Sequence, residues 1–187
     1  MVVMGLSQRA EEQSERLLAP LGRRWTHSQA VAKRAGAVAD MVDEDRDVLV
    51  AAAYLHDVGY AAPLALVGFH PLDGARWLAD RGHDRLAGLV ANHSGSKHEA
   101  KLRGLSGELA RFPDERSAVT AALAYCDLTT GPGGESMTPD ERLADVEARH
   151  GLDSLVALGL RRAWPELMVA VATTEERLRQ GRAIQPM

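Results

Sequence analysis

Only one cysteine, Cys126, occurs in the 187 residues, so no disulfide can form within the chain. That usage fits a reducing compartment. Aromatic residues are scarce, at 4%, and stretches that alternate apolar and polar side chains hardly occur. This argues against a β-rich fold and against an aromatic platform for nucleic acid. Positive charge is not in excess: the formal net charge is −4, so no general attraction to nucleic acid or to an anionic membrane is expected. No long hydrophobic run is present. The longest clear one, Val48 to Leu55, is far too short to cross a bilayer. The segment from Met1 to Glu15 soon turns polar and lacks the apolar core of a signal peptide. A cytoplasmic protein without a membrane or nucleic-acid partner is the expectation.

What is present points to helices. Hydrophobic residues make up 45% and charged residues 26%, the balance of a soluble globular protein, and Ala, Leu, Arg and Glu dominate. We expect an all-α single-domain helical bundle over 1–187, with a motif-bearing core at about 25–128 and helices within 139–180 packed on it. Helices are expected around Glu11–Leu18, over Thr26–Val42 and over Asp47–His56. Pro71 suits the first position of a helix running to about Arg81, with Gly82 as its stop. Asp84 is a candidate cap for the next helix, and 94–107 reads as irregular or short-helical. A helix over Arg116–Leu128 is followed by Gly131-Pro132-Gly133-Gly134. That makes 129–136 a loop and the best candidate for a mobile segment. Thr138-Pro139-Asp140-Glu141 has the form of a capping box. The tail from Ser154 to Gln180 reads as helix, with Pro165 a candidate break.

Polar residues interrupt the apolar faces of these helices at particular places. His27 opens the stripe 27, 31, 35, 38, 42, otherwise apolar. His56 closes the face of Leu49, Ala52 and Ala53, and Asp57 follows it. His93 shares a stripe with Leu86, Leu89 and Val90. Asp127 sits on a helix whose inward face includes Val119 and Leu123. Periodicity aims these groups at the core. Buried carboxylates and imidazoles cost free energy unless something satisfies them, and a divalent cation does so. Facing helices of a bundle are a known place to assemble such a site. His70, before Pro71, reads alone as an N-cap. His83 and His150 stand at turns and are expected to be solvated, while His98 is left open.

The ordered set His27, then His56-Asp57-Val58-Gly59, then Asp127 resembles the H…HD…D pattern of the HD-domain superfamily of metal-dependent phosphohydrolases. The similarity runs from Trp25 to Leu128. Phe69-His70-Pro71-Leu72-Asp73-Gly74-Ala75 resembles the HPxxGA segment of members with two metals, and Ala91-Asn92-His93-Ser94 resembles their next histidine. The resemblance implies one or two divalent metal ions (Fe, Mn, Mg, Ni, Co or Zn). His27, His56, Asp57 and Asp127 would surround one, and His70 and His93 the second, with Asp57 bridging. Tyr60 stands where members that cleave cyclic diguanylate usually have Lys, and their GYP motif is absent, which argues against that substrate.

The activity so implied is hydrolysis of a nucleotide or small phosphate ester by metal-activated water. Asp57 and His56 would be the catalytic residues, and Lys97, Lys101 and Arg103, close after His93, the candidates to grip phosphate. Superfamily members with a mixed-valence di-iron pair use the same six-ligand order for oxygenase chemistry, so bound iron is the discriminator. A non-catalytic signalling module is a weaker alternative, since such modules often lose ligands. The partner expected is a small phosphate compound, the oligomeric state monomer or homodimer.

Overall fold

The computed structural model describes residues 4–184. Ten α-helices and four short 3-10 segments make up its regular structure. Strand pairing among the described residues is limited to one isolated bridge, Thr130 with Ser136. The helices are α1 (Leu6–Leu18), α2 (Arg23–Val38), α3 (Arg46–Leu55), α4 (His70–Ala79), α5 (Asp84–Asn92), α6 (Ser96–Arg103), the single turn α7 (Ser106–Leu109), α8 (Ala118–Leu128), α9 (Pro139–His150) and α10 (Leu155–Ile184). The all-α expectation holds. Among the described residues no helix is long and apolar enough to cross a membrane.

The third helix is the hub. Leu49, Ala51, Ala52, Ala53 and Leu55 are all buried, which leaves α3 apolar nearly all round, the pattern of a helix enclosed by others. It packs against α1, α2, α5 and α8, while α4 pairs with α5 and α10 lies along α6, α8 and α9. Small residues on α3 permit close approach, so the residues at its C-terminal end sit deep inside the bundle. There His56 is 0% and Asp57 3% exposed. A second, smaller apolar cluster of Ala124, Leu128, Ala163, Leu167 and Val171 joins α8 to α10.

Helix ends follow local chemistry with some departures. The Ser117 Oγ accepts from the Val119 and Thr120 amides and starts α8. The capping box at Thr138 and Glu141 forms as expected. Asp84, by contrast, is the first residue inside α5 and caps nothing; the capping position falls to His83. Pro165 does not break α10. Buried residues on both sides of it, Ala157 and Ala163 before and Leu167 and Val171 after, anchor one continuous rod, so tertiary packing outweighs a missing amide. The 129–136 loop is tied down rather than free. The Gly131 amide donates to the Glu135 carbonyl at 2.8 Å, the Met137 amide to the Thr129 carbonyl at 3.1 Å, and the Thr130 hydroxyl to the Cys126 carbonyl at 2.7 Å.

Candidate metal centre

Five segments deliver polar side chains to one point. His27 comes from the first turn of α2, His56 and Asp57 from the end of α3, His70 from the start of α4, His93 from the 3-10 turn after α5, and Asp127 from the last turn of α8. Donor atoms of His27, His56 and Asp57 lie within 4.8 Å of one another, as do those of Asp57, His70 and His93. The two trios share Asp57. Asp127 joins the first of them: its Oδ1 is 3.1 Å from His27 Nε2 and 4.0 Å from His56 Nε2.

Backbone carbonyls fix the imidazoles. His27 Nδ1–H donates to the Gly131 carbonyl at 3.0 Å, His56 Nδ1–H to Ala53 at 2.7 Å and His93 Nδ1–H to Val90 at 2.6 Å. A neutral ring bonded this way carries a bare lone pair on Nε2. Those lone pairs converge. His27 Nε2 faces a carboxylate oxygen, and His93 Nε2 faces His70 Nε2 at 3.3 Å. His56 Nε2 is buried with no hydrogen-bond partner at all. An orphaned buried acceptor of this kind costs about 1–3 kcal/mol, and a cation among the converging donors relieves it. The residues present therefore fit one or two divalent ions, of the types that imidazole and carboxylate accept.

The electrostatic surroundings support the same reading. Burial pushes His56 and His70 below the ordinary histidine value, against the pull of Asp57, and so favours the neutral, ligating form. Burial pushes the Asp57 carboxyl up, but the Arg24 guanidinium beside it outweighs burial and holds it well below the usual range. For Asp127 the same burial is outweighed, with the Arg142 guanidinium pulling the carboxyl down. Each of these two carboxylates thus has its own arginine: Arg24 Nη1 is 2.8 Å from Asp57 Oδ2, and Arg142 Nη2 is 3.4 Å from Asp127 Oδ1. Ser94 also donates to Asp127 Oδ2 at 2.5 Å.

A cavity of about 710 Å³, its mouth included, opens onto the cluster and is bounded on the far side by α9 and α10. Lys97, Lys101 and Arg103 do not line it, so the expectation that they face the site is corrected. All three belong to α6, which turns Ser96 and Glu99 toward the cavity. Lys97 points the other way and pairs with Glu166 at 2.6 Å. Lys101 is exposed. Arg103 pairs with Glu99 at 2.7 Å and lies over the Phe69 ring. The cations in the cavity are Arg24, Arg142 and Arg149, with His150 at the rim. Arg24 was legible in principle, because it stands three residues before His27 on the same helix face. His150 is exposed, as expected, yet borders the site; His98 bonds Glu166 at 3.0 Å, away from it.

Glycine explains part of the motif. A Cβ on Gly59 would lie 2.0 Å from the His70 carbonyl oxygen and 2.7 Å from the Gly74 amide nitrogen. Only glycine lets the turn after Asp57 touch the start of α4, which sets His70 beside Asp57 at 3.4 Å. Tyr60, in the same turn, stacks on His70 with 4.0 Å between centroids, and the Arg24 guanidinium lies 3.9 Å from its ring centre.

Helices that converge buried imidazoles and carboxylates on one point define a helical protein with a candidate metal centre. The sequence model of the HD domain matches residues 24–147, well over half of the chain. The chain belongs to the HD-domain family, whose members are mostly metal-dependent hydrolases. Neither the curated proteins nor the solved structures gave a match.

Proposed function

We propose that the protein is a metal-dependent phosphohydrolase that cleaves a small phosphate ester with water activated at the His/Asp centre. The observation that carries this is the charge of the cavity. Three arginines, Arg24, Arg142 and Arg149, and three carboxylates, Asp57, Glu99 and Asp127, line it. With the histidines neutral, these formal charges cancel. Each divalent ion then leaves the cavity two charges more positive, and a positive, recessed site selects an anion.

A bound divalent ion lowers the pKa of a coordinated water toward neutrality and offsets charge on phosphoryl oxygens. His27, His56, Asp57 and Asp127 would hold one ion, and Asp57, His70 and His93 a second. Asp57, which belongs to both groups, would orient the attacking water or accept its proton, while Arg24 holds the carboxylate's other edge. His56 keeps its ring fixed through Ala53 and presents Nε2. Phosphate oxygens would meet the arginines of α9 that line the cavity, Arg142 and Arg149. The ligand is a small molecule, and the chain acts in the cytoplasm as a monomer or homodimer.

Elemental analysis of anaerobically purified protein, followed by a phosphate-release screen with Mn, Mg, Co and Ni, tests this. Non-iron metal together with phosphate release supports the reading. Two irons per chain with oxygen uptake and no phosphate release would replace it with an oxygenase. Failure to bind metal even after reconstitution would leave a non-catalytic module.

A further inference from the structure

The wall of the cavity formed by α9 and α10 has a composition of its own. One helix, α9, turns Arg142, Val146, Arg149 and His150 toward it, the i, i+4, i+7, i+8 spacing of a single helical face. Arg142 is buried, at 8% exposed, and bridges Asp127 and Asp145. Arg149 pairs with Asp145 at 2.6 Å. Beside them, Val156 and Leu160 of α10 give aliphatic surface.

Groups that would hold a nucleobase are missing from the described lining residues. Base recognition uses aromatic stacking, about 1–3 kcal/mol per base, and amide side chains that pair with base edges. No Asn or Gln lines the cavity. Tyr60 is the one Tyr, Phe or Trp there, and its ring is already engaged by His70 and Arg24.

We infer that the substrate is a phosphomonoester of a short aliphatic group rather than a nucleotide, with Arg142 and Arg149 on its phosphate oxygens and Val146, Val156 and Leu160 against its carbon chain. This rests on the phosphohydrolase reading. Hydrolysis adds water across the P–O bond: the water oxygen bonds to phosphorus, the alkoxide leaves and takes a proton, and alcohol and inorganic phosphate result. No redox partner is required.

The test uses the full Mn²⁺-loaded chain and compares kcat/KM for ethyl phosphate, butyl phosphate, AMP and dAMP by phosphate release. Butyl phosphate should exceed both nucleotides by at least about tenfold, the factor that about 1.4 kcal/mol of selective binding supplies. Arg149→Gln should raise KM about tenfold, equivalent to about 1.4 kcal/mol, with bound Mn²⁺ per chain unchanged. Leu160→Gln should lower kcat/KM for butyl but not ethyl phosphate, a split that mere loss of packing would not give. Nucleotides cleaved better than butyl phosphate would overturn the inference and leave the phosphohydrolase reading standing. No phosphate release from any of the four esters with Mn, Mg, Co or Ni would overturn both. The wild-type comparison needs no variant, so a misfolded mutant leaves the test intact.

Discussion

The cavity has two walls of opposite character. On one, His27, His56 and His93 are each clamped through Nδ1 by a main-chain carbonyl, and Asp57 and Asp127 are each held by an arginine. The orientations of the three imidazoles are thus set by backbone carbonyls. On the other, α9 and α10 reach the cavity with two arginines and aliphatic side chains, and α10 rests with α8 on a smaller apolar cluster. Arg149 is held only by a neighbour on its own helix. A rigid wall suits chemistry, and an adaptable wall suits selection among substrates.

The sharpest way to break this contrast is at Asp57, which belongs to both ligand trios. Asp57→Ala should abolish metal binding at both positions and lower phosphate release at least about 10³-fold, the scale expected when a metal-activated nucleophile is lost, with helical circular dichroism retained. Full metal content and activity in this variant would refute the assignment. His70→Ala touches one trio only. It should leave one metal per chain where the wild type holds two, and reduce activity by about 10²-fold, in line with loss of one cation facing the transition state. Equal loss of both metals would mean that the trios are not separable.

Much of the ligand wall was legible in the sequence because His27, His56 and His93 interrupt apolar stripes, while Asp57 and His70 entered through the resemblance to the H…HD…D and HPxxGA patterns. The facing wall was not. Arg142 and Arg149 look like ordinary charges on an exposed helix, and only the tertiary position of α9 gives them a role. Lys97, Lys101 and Arg103 show the converse error: nearness to His93 in the chain says nothing about the rotation of α6, which begins after a left-handed Gly95, φ 72°. The loop at 129–136 reads as mobile from its glycines, but the carbonyl that orients His27 belongs to Gly131, and no local rule reveals that bond. Pro165 reads as a break only when packing is ignored.

Acid should distinguish the walls next. In metal-free protein, burial lowers the pKa of His56 and His70. Above the unfolded value of about 6.5 neither state binds the extra protons and nothing changes. Below it the unfolded chain takes up protons that the folded rings refuse, so stability falls with pH. Asp57 and Asp127 have the same sign in a lower window. Their folded pKa is depressed, so the stability they supply is present above about 3.8 and lost beneath it. Urea unfolding in chelator should give a lower midpoint at pH 5.5 than at pH 7.5. Equal midpoints would contradict neutral, buried imidazoles in the ligand wall.

The smallest effect is expected where the walls meet. Gly159 of α10 lies against α6: a Cβ there would be 2.7 Å from Glu99 Cβ and 3.0 Å from its main-chain Cα and nitrogen. Gly36 of α2 has nothing within 4 Å of its corresponding position. Both are helical, so alanine gains about 0.5–1 kcal/mol at each from the lower entropy of its unfolded chain. At Gly36 that gain stands alone, and Gly36→Ala should stabilise the protein. At Gly159 overpacking against backbone costs about 1–3 kcal/mol and cancels or outweighs it. The strain is relieved by moving α10 outward, and with it the neighbouring Leu160, so Gly159→Ala should change KM by about two- to fivefold, or about 0.4–1 kcal/mol. Metal content, set by the other wall, should not change. If the two alanines stabilised equally and KM stayed fixed, α10 would not be seated on α6 closely enough to shape the cavity. The selective wall would then have to be α9 alone.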